Sequence, residues 1–186
     1  MKNLLLLAYA TFIFTASSFS QKYFTKNGKI NFDATAASSP EKIEGINRSV
    51  TCVVDTKTGN MQFAVLMKGF EFERALMEEH FNENYVESDK FPKAEFKGAI
   101  AGNEKVSYAK DGTYTVKIKG KLTMHGETKD VDTDAKLIIQ GGKINATAEF
   151  IVPLADYKVS IPGLVADKVS KTAKISVACA LEPLKG

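Results

Sequence analysis

The chain has 186 residues, 44% of them hydrophobic, with 25 Lys and Arg against 22 Asp and Glu and a formal net charge of +3. That length suits one domain of ordinary size. The basic residues are spread among carboxylates, which excludes the electrostatic footprint of a nucleic-acid partner, and two cysteines are too few for a disulfide framework.

Lys2 precedes an apolar run from Leu4 to Phe14, followed by Thr15, Ala16, Ser17 and Ser18. This is the three-part layout of a signal peptide over residues 1–20, with cleavage expected before Gln21. The run is well short of the roughly 20 apolar residues that cross a bilayer, so stable membrane insertion is not expected. No cysteine stands at position 21 to accept an N-terminal lipid. The mature domain, residues 21–186, is expected to be periplasmic or secreted, and the loss of Lys2 lowers its formal charge to +2.

Strands are predicted at Lys29 to Thr35, Ser49 to Thr56, Asn60 to Phe72 and Lys93 to Ala101, with a turn at Thr58-Gly59-Asn60. Cys52 is in phase with Val50 and Val54, and Cys179 with Ile175 and Val177, so both are expected to be buried free thiols. Glu73 to Asn84 lacks Gly and Pro and places Leu76, Met77, His80 and Phe81 at helical spacing, which predicts a short amphipathic helix. Ala36 to Asn47 reads as a loop with room for one further helical turn.

The cleanest signal follows. In Thr113 to Met124, Tyr114, Val116, Ile118, Leu122 and Met124 alternate with threonines and lysines, the period of a strand with one wet face. Lys129 to Gln140 and Lys143 to Val152 repeat the pattern, joined near Gly126 and at Gly141-Gly142 as a meander. Pro153 to Asp167 reads as a long irregular connection, and Thr172 to Leu181 supplies an eighth strand. The fold class is therefore all-β, an eight-stranded antiparallel barrel whose closure removes exposed edges, with one short helix.

Inward positions mix small residues (Ala34, Gly98, Gly120, Ala135, Ala146, Ala148 and Ala173) with large ones. Such a mixture either leaves an apolar tunnel or fits the taper of a filled barrel. Residue size alone leaves these two open, and with them two functions: a carrier of an apolar ligand, or a non-catalytic interaction module. No nucleophile elbow, metal-binding spacing or phosphate loop is present, so no catalytic residue, metal or cofactor is expected. His80 is expected to pack on the helix and His125 to lie at the surface.

Phe70, Phe72, Met77, His80-Phe81, Tyr85, Phe91-Pro92 and Phe96, together with Gly120-Lys121-Leu122-Thr123 and Gly126-Glu127-Thr128, resemble the YceI-like family. The resemblance covers most of the mature chain. Two departures are that the first strand, Gly28-Lys29-Ile30-Asn31-Phe32-Asp33, lacks the family's His-Ser pair, and that Arg74-Ala75 replaces its Arg-Asp. The resemblance implies a lipocalin-like barrel that holds a polyisoprenoid or similar apolar lipid, and it names no protein partner. The implied cavity wall is Phe63, Val65, Met67, Phe96, Val116, Ile118, Ile144, Ala146, Ala148 and Phe150 on the strands, with Met77, His80 and Phe81 from the helix.

Overall fold

The computed structural model describes residues 22–184, so the expected leader lies outside the described residues. Among the described residues the chain forms β1 (Lys22–Thr35), β2 (Glu44–Asp55), β3 (Asn60–Leu66), β4 (Glu71–Phe72), α1 (Ala75–His80), β5 (Lys93–Ala101), β6 (Gly112–Met124), β7 (Glu127–Gln140), β8 (Lys143–Pro153) and β9 (Val169–Pro183). The order around the sheet is β1-β9-β8-β7-β6-β5-β3-β2, and β1 pairs with β2 as well as β9. Eight antiparallel strands thus close into a barrel, with β4 a two-residue addition to β2. The expected fold class is the one observed.

Period-two sequence explains most of the strand bounds, and the differences have local causes. The first strand starts seven residues earlier than predicted because Lys26 and Asn27 are both exposed in succession, which breaks the alternation. The register on β2 shifts there, between Thr25 and Gly28, as a bulge does. The predicted strand to Phe72 stops at Leu66, because Met67–Gly69 make a 3-10 turn before the short β4. The predicted helix is regular only to His80. Asn82 then donates its side-chain amide to Glu78 O at 2.9 Å, and Phe81–Tyr85 continue as a π-helical turn.

The β6–β7 and β7–β8 connections are two-residue turns with both central residues at positive φ, His125 (51°) with Gly126 (78°) and Gly141 (56°) with Gly142 (74°). That geometry matches the right-handed twist of the paired strands. At one end of the barrel, the floor, Tyr23, Ile100, Val106, Ile139 and Leu181 pack together. At the other end, the mouth, lie α1, the β6–β7 turn and the connection from 154 to 168. An aromatic group holds α1 down on the barrel: the Phe81 ring lies 4.9 Å from Phe72, 5.4 Å from Phe70 and 5.7 Å from Phe32.

Cys52 and Cys179 are buried and free, on the two strands that flank β1. Gly28 stands between them, where a Cβ would come within 2.8 Å of Cys179 Sγ. Contact with the Cys179 thiol, together with burial, pushes the Cys52 thiol up from its ordinary range. Two strand spacings put the Cα atoms about 9 to 10 Å apart, whereas a disulfide needs roughly 7 Å or less. Denaturation without reductant is therefore expected to expose two titratable thiols; an intact mass lower by two hydrogens would contradict this.

Candidate functional site

The barrel interior is not filled. A cavity of about 470 Å³ runs from Ile100, Tyr108 and Leu181 near the floor to Leu76 and Val165 at the mouth. This falls within the roughly 300 to 1,000 Å³ of typical ligand pockets. The filled-barrel alternative does not fit this interior.

Twelve of the thirteen residues expected on the wall lie there: Phe63, Val65, Met67, Met77, His80, Phe81, Phe96, Ile118, Ile144, Ala146, Ala148 and Phe150. Val116 does not. It is buried in the floor cluster, which also holds Val106 and Ile118. His80 is exposed at the mouth, not packed within the helix face as expected, because α1 buries none of its own residues and docks through Phe81 beyond its end.

Of the seven small residues, Ala34 is buried in a cluster with Val152 and Leu154 and does not line the cavity, and the other six divide into two groups. Ala135, Ala146, Ala148 and Ala173 line the cavity and leave it open. Ala135 faces Ala148 across β7 and β8, so two methyl groups stand where larger side chains would meet. Gly98 and Gly120, a cross-strand pair, make no opening. A Cβ on either would fall 2.6 Å from Phe96 Cζ, so the Phe96 ring lies over both glycines and fills the space they leave. The aromatic covers their backbone and forms the wall in their place.

Polar groups gather at the mouth. The charged and imidazole groups on the wall, among the described residues, are Glu41, Arg74, His80 and Lys168, all from loops or α1. Arg74 pairs with Glu41 at 2.5 Å across the rim. Burial raises the Tyr85 hydroxyl from its ordinary value and, near the floor, pushes Tyr108 up to about 12. Tyr108 instead donates its proton to Asn103 Oδ1 at 2.6 Å.

His125 is the residue most misjudged by its sequence context. Its side chain is 9% exposed, not at the surface. Nδ1 lies 2.8 Å from Tyr157 O and Nε2 2.8 Å from Glu87 Oε2, while Phe91 packs edge-on at 4.6 Å between ring centroids. One turn residue thus ties the helical segment and the long connection to β6 and β7. Lys158 and Glu127 add an ion pair beside it. The partners are 38 and 32 residues away, so no local pattern signals them.

The chain matches the YceI-like domain over residues 10–181. Similar solved structures include a polyisoprenoid binding domain from Saccharophagus degradans implicated in plant cell wall breakdown, at 14% identity over 88% of this chain and 99% of that one, with a TM-score of 0.76. BcnA from Burkholderia cenocepacia is similar at 15% identity, over 83% and 95% of the two chains, with a TM-score of 0.67. The YCEI protein of Campylobacter jejuni gives 17% identity, 75% and 85% coverage, and a TM-score of 0.52. At these identities the likeness is one of fold. No curated protein matches the sequence significantly.

Proposed function

Starting from the fact that this chain belongs to the YceI-like family, we propose that it holds a long apolar ligand, a polyisoprenoid lipid, inside its barrel. The role is transport, storage or sequestration in the periplasm or outside the cell, after removal of a signal peptide. It is a binding role, not a catalytic one.

The observation that carries this reading is the continuous cavity of about 470 Å³ with its charged groups confined to the mouth. A polyprenyl chain suits that layout. Each buried methylene contributes about 0.8 kcal/mol by leaving water, with little demand for polar partners. Association itself costs an estimated 4 to 15 kcal/mol, so about ten buried methylenes only begin to offset it and affinity has to come from chain length. Met61, Met67, Met77 and Met124 on the wall supply flexible thioethers that adapt to a branched chain. The described fold neighbour that binds polyisoprenoid supports the same ligand class.

Native mass spectrometry of the protein from its own periplasm tests this. The expected result is a chain beginning at Gln21 with one bound lipid, and delipidated protein that takes up a fluorescent polyprenyl probe. A parent protein that binds no long apolar molecule would overturn the proposal.

A further inference from the structure

β7 and β8 run side by side only as far as Ala135 and Ala148. Beyond that pair, among the described residues, no ladder pair joins 127–134 to 149–153, although β7 stays paired to β6 and β8 to β9 throughout. A side chain spans the gap instead, Thr133 Oγ1 donating to Glu149 O at 2.9 Å. Above, the 3-10 turn Leu154–Tyr157 swings back toward the β6–β7 turn and is fixed there by His125. The result is a window in the barrel wall with both its lower and upper borders secured.

Val131, Thr133 and Phe150 line this window on both sides. They belong to the apolar cavity within and, with Lys117, Asp132 and Glu149, to a polar groove outside. The same three residues thus border both spaces. Backbone groups left without a ladder partner need water or side chains to satisfy them, as Thr133 does for Glu149 O. Asp130, Asp132 and Asp134 along the open edge of β7 discourage pairing with a strand of another chain.

We propose that this window is a side exit through which the chain of a long prenyl ligand leaves the cavity. The inference rests on the polyisoprenoid reading. With a polar end at the mouth, the chain runs toward a packed floor and has no way out there. A cavity of about 470 Å³ holds a short prenyl chain, and a much longer one overflows it. Passage asks only side chains to move, Phe150 with Val131 and Thr133, and breaks no strand pair.

The test compares farnesol with nonaprenol. In the unaltered protein, a nonaprenol carrying a photoreactive diazirine at its apolar end is expected to label Asp132, Glu149 or Ile151, which line the outer groove alone; label confined to residues of the cavity overturns the inference. In a second arm, Asp132→Cys combined with Ile151→Cys places thiols on the outer face of opposite borders, and the reduced form is the folding control. Once oxidised, with the disulfide confirmed by mass, the protein should bind nonaprenol at least tenfold more weakly and farnesol unchanged. Equal nonaprenol binding in both forms overturns the window alone. Failure of the unaltered protein to bind either prenol overturns the function and the window together.

Discussion

Ala148→Phe is expected to remove ligand binding while leaving the delipidated protein as stable as the parent. Ala148 faces the cavity, paired with Ala135 on one side and Val177 on the other. A phenyl ring there projects into space that now holds no protein atoms, so it meets none of the crowding that costs about 1 to 3 kcal/mol in a packed core. It displaces about four methylenes of ligand, a loss near 3 kcal/mol, or roughly a hundredfold in Kd. Titration with a fluorescent polyprenyl probe and a thermal melt of the same sample check the two halves. A lowered melting temperature with binding intact would mean that Ala148 packs against protein and is not a wall residue.

Gly120→Ala is expected to do the opposite, damaging the fold first. An added Cβ would sit 2.4 Å from Lys97 O, 2.5 Å from Gly98 Cα and 2.6 Å from Phe96 Cζ. The first two contacts are backbone of β5, which cannot retreat without separating the β5–β6 ladder. A cost of about 3 kcal/mol follows, which lowers the melting temperature by roughly 6 to 12 °C in a domain of this size. The displaced Phe96 ring also enters the cavity, so probe binding falls in the fraction that remains folded. Gly163→Ala, with nothing within 4 Å of the new carbon, serves as the matched control. A Gly120→Ala protein that melts with the parent would refute the tight β5–β6 contact.

Alternation carried most of this architecture. The outward lysines of β6 and aspartates of β7 pair across the strands, as with Lys119 and Asp132 at 3.0 Å and Lys121 and Asp130 at 2.8 Å, while the inward aliphatic residues bury. Exposed pairs of this kind add about 0 to 1 kcal/mol each, so their clear sequence signal comes from face selection more than from stability. Barrel closure was legible; what stayed hidden were three features set by particular side chains or by a local parting of strands. Gly98 and Gly120 look like openings until the Phe96 ring is placed over them. His125 looks like a solvated turn residue until Glu87 and Tyr157 arrive from other segments. The window between β7 and β8 leaves no trace in either strand, because each keeps its own alternation past the point where they part.

The joining of β1 to both β2 and β9 also governs when the barrel can form. Tyr23 pairs with Pro183, and Leu184 N donates to Lys22 O at 2.6 Å, so the first and last described strands meet along their length. A nascent chain can build the β6–β7–β8 meander from neighbours in sequence, but the seam of the barrel waits for β9. Contacts this far apart along the chain carry the largest loop-closure cost and make folding slow. Until β9 arrives, both edges of the sheet stay open and the cavity has no complete wall, so a ligand can be enclosed only once β9 has docked on β1 and β8.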